Sequence, residues 1–226
     1  MVKNILFDLD DTLLDFHMAE KVALTKTLIH FDIEPKDEIL ERYSELNLSQ
    51  WKLLEKGILT RDEVKVRRYQ LLFKELGVDS SANEATEYYE NLLGVGHFFV
   101  DGAEEVIRSL SDKYCLYIAS NGNTKVQLSR MKSADIIKYF TDIFISQEIG
   151  FDKPSSEFFN SCLSKILNYS KEETVIIGDS ITSDIKGGKG VGIKTIWYNP
   201  GRKESDVVAD HEINNLLELL PLLERI

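Results

Sequence analysis

The chain has 226 residues and a net charge of −11, with 38 acidic side chains against 27 basic ones. That balance excludes the broad basic surface needed to grip a nucleic-acid polymer or an anionic membrane. Apolar residues make up 43%, enough for an ordinary core and too many for wholesale disorder, so one large domain or a domain with an insertion is expected.

In chain order, the apolar run Ile5-Leu6-Phe7 predicts a strand buried on both faces of a parallel sheet. It stops at Asp8, and Asp10 follows two places later, at the carboxyl end of the strand where open α/β sheets place ligand chemistry. Alternation in extended backbone points Asp8 and Asp10 the same way and turns Leu9 toward the core. Two such carboxylates repel by roughly 2–4 kcal/mol at an effective dielectric near 20, so the pair implies a nearby cation or a retained proton. The plain alternative is a strand that ends in a polar turn, with Asp11 structural there.

From Met18 to Leu93 the pattern is helical, with no convincing strand. Thr60 and Glu63 form a capping-box pair, the helix they open carries Tyr69, Leu72, Phe73 and Leu76 on one face, and Gly77 sits where a left-handed terminator belongs. Another helix is expected over Asn83 to Leu93. Phe98 to Gly102 then returns the chain to alternating elements. This predicts an all-helical cap over 17–98 inserted into an α/β core of 1–16 and 99–226, hinged near Asp15–His17 and Gly96–Val100.

Beyond Gly102 a helix over Ala103–Leu110 precedes a strand over Tyr114–Ala119, which stops at Ser120-Asn121-Gly122. A helix over Thr124–Ala134, a strand over Ile143–Ile145, the loop with Lys153-Pro154 and a helix over Ser156–Leu167 follow. Thr174–Ile177 is a third buried strand, ending at Gly178-Asp179. A short helix from Ser183, a glycine-rich turn and the strand Thr195–Tyr198 come next, and Leu216–Leu223 closes the order as a helix ended or kinked by Pro221. Strands alternating with helices predict a Rossmann-like parallel sheet flanked by helices. The strand ends then converge on one edge and gather Asp8, Asp10, Ser120, Asn121, Lys153, Asp179 and Asp184. Several carboxylates with one lysine repel each other unless a divalent ion joins them, and hard oxygen ligands beside a phosphate specify Mg²⁺ over Zn²⁺. Phosphoryl transfer is the chemistry that suits the set.

These residues resemble the haloacid dehalogenase-like (HAD) superfamily of phosphohydrolases. Asp8-x-Asp10-x-Thr12 resembles its first motif, Ser120-Asn121-Gly122 its second, Lys153-Pro154 its third, and Gly178-Asp179 with Asp184 its fourth. The resemblance implies that Asp8 is the nucleophile and forms an aspartyl-phosphate, with Asp10 as general acid and then general base. It also implies that Thr12, Ser120, Asn121 and Lys153 serve the phosphate. Asp8, the Asp10 carbonyl and Asp179 would bind Mg²⁺, with Asp184 binding directly or through water. Dehalogenase members lack an acid at the Asp10 position, so carbon–halogen cleavage is disfavoured.

The stretches Trp51–Gly57 and Val66–Phe73 look similar to the cap of cytosolic 5′-nucleotidases that act on pyrimidine monophosphates. That similarity implies a nucleoside monophosphate as substrate, with Trp51 or an aromatic near it stacking on a base and Arg67 or Arg68 nearby. The alternatives are a sugar-phosphate phosphatase, a phosphoglucomutase-like phosphotransferase, and, from another class, a phospho-accepting receiver domain, which is about half this length and carries no cap.

Other signals are read as structural. Gly187 to Thr195 imitates a phosphate-binding loop, but Lys194 comes one position late and the segment runs from helix to strand, which favours a tight turn. The four histidines show no metal spacing, and Cys115 and Cys162 are expected as buried thiols without a disulfide framework. No stretch has the length of a secretory or membrane-spanning core. A cytoplasmic monomer or small homo-oligomer acting on a small phosphorylated metabolite is the expectation.

Overall fold

The computed structural model describes residues 1–226, apart from the side chain of Glu55. The chain divides into two compact units, Met1–Phe16 with His97–Ile226, and His17–Gly96. In the first, β1 (Asn4–Phe7), β2 (Cys115–Ser120), β3 (Asp142–Ile145), β4 (Thr174–Gly178), β5 (Lys194–Tyr198) and β6 (His211–Ile213) form a sheet in the order β3-β2-β1-β4-β5-β6. Every pairing is parallel, and β1 lies between β2 and β4, with Ile5 opposite both Leu116 and Val175. The order reverses direction at β1, so the crevice beyond its carboxyl end is where this topology leaves room for a ligand.

Period-two alternation sorts the strand residues onto two cores. Ile5, Phe7, Leu116, Ile118, Val175 and Ile177 face one side, where helices α5 (Ala103–Ser111) and α10 (Leu219–Leu223) and Met131 of α6 (Thr124–Ser133) cover them. Leu6, Tyr117, Ala119 and Ile176 face the other, against Phe158, Phe159, Cys162 and Leu163 of α8 (Ser156–Leu163). Both faces are therefore dry, as a parallel sheet requires.

The second unit is helical: α1 (Phe16–His30, whose first residue belongs to the other unit), α2 (Asp37–Glu55), α3 (Arg61–Leu76) and α4 (Ala82–Val95). Thr60 caps α3 in a full capping box with Glu63, and Gly77 ends it at φ 66°. Its interior is aromatic and polar together. The rings of Tyr43, Tyr69 and Tyr89 lie 5.1–5.9 Å apart, and the buried Arg68 guanidinium stands 4.7 Å from the Tyr89 ring. Asn47 Oδ1 accepts from both Arg68 Nη1 and Trp51 Nε1, each at 3.0 Å, while its Nδ2 donates to buried Glu20 at 2.7 Å.

The structure departs from the sequence reading in several places. The glycine-rich segment is not a turn: it forms α9 (Lys186–Val191), and only Gly192 turns left-handed to end it. Close approach explains the composition, because a Cβ on Gly187 would lie 2.2 Å from Phe159 and one on Gly188 2.5 Å from Ile176. Cys115 is exposed at the first position of β2, while Cys162 is buried. The helix opened by Ser156 ends at Leu163, after which Lys165 and Ile166 close tighter turns. β6, three residues long, carries too little periodicity to be seen in advance. A seventh helix, α7 (Ser146–Ile149), is a single turn after β3. Among the described residues no helix is long and apolar enough to cross a membrane.

Candidate active site

The turn after β1 is built before any chemistry enters. Asp8 N–H continues the ladder to Ile177 O at 2.9 Å, Leu9 is fully buried, and its carbonyl accepts from both Leu13 and Leu14. Asp11 takes a left-handed φ of 57°, a conformation short polar residues tolerate, and its Oδ1 accepts the Phe16 N–H at 2.9 Å. Asp11 therefore has a structural role at the start of α1.

Lys153 is the centre of the charged set. It is 3% exposed, and its Nζ donates to Asp8 Oδ1 at 2.7 Å, Asp184 Oδ1 at 2.7 Å and the Ala119 carbonyl at 2.6 Å. Three donors meet three acceptors, so the ammonium is satisfied without water. Burial pushes this lysine down, yet the Asp184 and Asp8 carboxylates outweigh it and hold the group above its ordinary value. Burial drives Asp8 well above the usual carboxylate range against the opposing pull of Lys153, with Asp184 and Asp179 adding to the rise. Burial, then Asp184 and Asp11, push Asp179 up to about 7.

Asp8, Asp179 and Asp184 bring one carboxylate oxygen each within 4.8 Å of one another. Two of the three acids carry raised affinity for protons, chiefly because they are buried and further because they face other carboxylates. Three hard oxygen donors converging on one point fit a Mg²⁺-sized ion. Asp184 reaches this point because Gly178 lacks a side chain: a Cβ there would lie 2.2 Å from Asp184 Oδ2. The same oxygen accepts the Ser180 N–H at 3.1 Å. Asp179 is fixed through its main chain, where its N–H donates to Thr12 Oγ1 at 3.1 Å and its carbonyl accepts from Trp197 Nε1 at 2.9 Å.

Thr12 and Asn121 were expected to serve the phosphate. In the structure the buried Thr12 hydroxyl anchors the Asp179 loop. The Asn121 carboxamide brackets the Lys153 main chain, accepting its N–H at 2.7 Å and donating to its carbonyl at 2.9 Å. Both side chains hold charged neighbours in place. Ser120 is buried at the end of β2, its Oγ accepting from Gln127 Nε2 at 2.9 Å.

Asp10 is not part of the three-acid grouping. Its Oδ1 meets Arg130 Nη1 in a close ion pair, and its Oδ2 accepts from Gln127 Nε2 at 2.7 Å. Sequence reasoning missed both partners. The sequence carries no clear signal for them, since apolar Leu128 of the same helix is exposed while Gln127 and Arg130 share the buried stripe with Val126 and Met131, where buried polar residues must have partners. Of the residues proposed from the helical stretches, Arg67 is exposed on α3 and Arg68 is buried beside the tyrosine rings. Trp51 is half-buried, with the Arg61 guanidinium 5.4 Å from its ring.

Comparison with known proteins matches this architecture. The chain is 38% identical to the Bacillus subtilis HAD-hydrolase YfnB, over 98% of this chain and 95% of that protein. A crystal structure of YfnB bound to magnesium superposes with a TM-score of 0.93, covering 99% of each chain. The pyrimidine 5′-nucleotidase PynA of Streptococcus pneumoniae is 35% identical over 99% of this chain and 95% of its own. A glyceraldehyde 3-phosphate phosphatase of Pyrococcus furiosus is 30% identical over 99% of this chain and 94% of its own. The family model described as haloacid dehalogenase-like hydrolase matches residues 5–198, from the second residue of β1 to the last of β5. The chain belongs to the haloacid dehalogenase-like hydrolase family.

Proposed function

We propose that this phosphatase of the haloacid dehalogenase-like family is a Mg²⁺-dependent phosphomonoesterase acting through an aspartyl-phosphate on Asp8. The observation that carries the reading is Lys153 bridging Asp8 and Asp184 inside a buried cluster of acids. With its Oδ1 held by Lys153, Asp8 is a fixed carboxylate nucleophile. Its oxygen forms a bond to phosphorus as the ester P–O bond breaks, and Asp10 gives the departing oxygen its proton. Asp10 then takes a proton from water, whose oxygen attacks phosphorus, releasing phosphate and restoring Asp8. The Ser120 hydroxyl donates to a phosphoryl oxygen and the Lys153 ammonium offsets the charge of Asp8 and the phosphoryl group, while Asn121 and Thr12 keep Lys153 and Asp179 in register. The carboxylates of Asp8, Asp179 and Asp184, with the Asp10 carbonyl, would hold Mg²⁺, which supplies positive charge against the phosphoryl group.

The substrate is a small phosphorylated metabolite, and nucleoside 5′-monophosphates are the favoured class. Support comes from PynA and from an Escherichia coli pyrimidine 5′-nucleotidase that is 24% identical over 97% of this chain. The archaeal glyceraldehyde 3-phosphate phosphatases supply the second reading, a sugar-phosphate phosphatase. Trp51 and Arg67 are the candidates for base recognition. The test is a phosphate-release panel of nucleotides and sugar phosphates with Mg²⁺, alongside Asp8→Asn. Turnover of nucleotides ahead of sugar phosphates, abolished in Asp8→Asn, is the expected result. Sugar phosphates outrunning every nucleotide end the nucleotidase reading, and full activity in Asp8→Asn ends the mechanism.

A further inference from the structure

We propose that Gln127 and Arg130 are positioning residues that fix the Asp10 carboxyl for proton transfer to the leaving group; this rests on the reading of Asp10 as proton donor. Both carboxyl oxygens are held from one helix, Oδ1 by Arg130 Nη1 and Oδ2 by Gln127 Nε2 at 2.7 Å. The two holders also hold each other, Arg130 Nη1 donating to Gln127 Oε1 at 3.1 Å. Arg130 has no exposed surface, and its guanidinium stands 5.8 Å from the Phe16 ring. Gln127 is 2% exposed and reaches Ser120 Oγ with the same nitrogen that holds Asp10. Gly122 makes this possible, since a Cβ there would lie 2.4 Å from Gln127 Cγ and 2.6 Å from its Nε2. The phase of α6 is set one residue later, where Asn123 caps the helix by accepting the Val126 N–H.

A carboxyl on two rotatable bonds serves as a donor only when its oxygen lies within hydrogen-bond reach of the departing atom. The fork from α6 removes that freedom and leaves each oxygen a further lone-pair direction for the substrate or for water. The outward side of Asp10 is open to receive them, its side chain being 31% exposed. Linking Ser120 to Asp10 through one amide also ties the phosphate-side hydroxyl to the acid that must meet the bridging oxygen.

The discriminating measurement is kcat/KM for phenyl phosphate against p-nitrophenyl phosphate, with Mg²⁺ and the full chain. This ratio covers only steps through departure of the leaving group, and nitrophenolate leaves without a proton whereas phenolate needs one. Asp10→Asn, Arg130→Met and Gln127→Met are each expected to lose at least about 10-fold more on phenyl phosphate than on the nitrophenyl ester. Arg130→Lys, which keeps a donor, recovers part of that gap. Equal loss on both esters in Arg130→Met and Gln127→Met, or no loss, with the gap intact in Asp10→Asn, overturns the positioning role and leaves the donor reading standing. Equal loss in Asp10→Asn itself removes the donor reading and the inference with it. Should Arg130→Met show no cooperative melt, Gln127→Met and Gly122→Ala, which displaces the Gln127 side chain, decide the question by the same ratio.

Discussion

Replacing Lys153 by methionine keeps most of the volume and removes the charge that joins the acids. The lysine makes hydrogen bonds of 2.6, 2.7 and 2.7 Å from a position 3% exposed. Removing one partner of a buried ion pair costs about 3–5 kcal/mol, because the surviving charges stay desolvated and unmatched. For a chain of this size about 1 kcal/mol moves the melting temperature by about 2–4 °C, so a fall of about 6–20 °C is expected at about pH 7.5 without metal. The chain has two tryptophans, Trp51 in the helical unit and Trp197 in the α/β unit. In a Trp51→Phe background, Trp197 fluorescence therefore reports the unit that contains the lysine. The pH dependence carries a definite sign. Burial raises Asp8 and Asp179, the latter to about 7. A raised folded value means stability that is complete below the ordinary carboxylate range and lost as pH rises through about 7. At about pH 5 Asp179 holds its proton, the cluster needs the lysine less, and the deficit shrinks. A deficit under about 2 °C, or one unchanged between the two pH values, refutes the reasoning.

Other measurements probe the neighbours. Magnesium binding near pH 6 releases protons, because Asp179 is raised to about 7 and a ligand must be deprotonated; calorimetry in buffers of different ionisation enthalpy reads this, and heats independent of buffer contradict it. Gly178→Ala drives a Cβ into Asp184 Oδ2, 2.2 Å away, and weakens Mg²⁺ affinity by about 10–100-fold, measured as the loss of metal-induced thermal shift. Thr12→Val leaves the Asp179 N–H without its acceptor at 3.1 Å and costs about 1–3 kcal/mol, seen as a lower denaturant midpoint with an unchanged slope.

The sheet was legible because its central strands are continuous apolar runs that halt at polar residues. Ile5-Leu6-Phe7 and Thr174–Ile177 are buried throughout, and the direction of a parallel strand decides which end faces the crevice. The capping box at Thr60 and the left-handed Gly77 were legible for a local reason, since each depends on residues within a turn or so of itself. What escaped depends on contacts distant in sequence. Gln127 and Arg130 lie 117 and 120 residues from Asp10, and nothing near them in sequence announces an acid. The glycines of α9 look like a turn until Phe159 and Ile176 are placed against them. In the sequence Arg68 is a candidate neighbour of a base, and only the fold shows three tyrosine rings and Asn47 around it. For Thr12 and Asn121 the sequence names the residues but not their hydrogen bonds to the Asp179 N–H and the Lys153 main chain, because a motif names the residue and not the atom it touches.

Between Asp179 and Asp184 the backbone makes a π-helical turn over Ile181–Ile185, wider than an α-turn, closed by the Lys186 N–H on the Ile181 carbonyl. An α-helix advances about 100° per residue. Deleting one residue here to leave an ordinary turn would swing the second acid about a quarter of the way around the axis, out of its pocket beside Gly178. The interval separating these two aspartates is thus a mechanical dimension, like the pitch of a screw, set by the residue count of the turn.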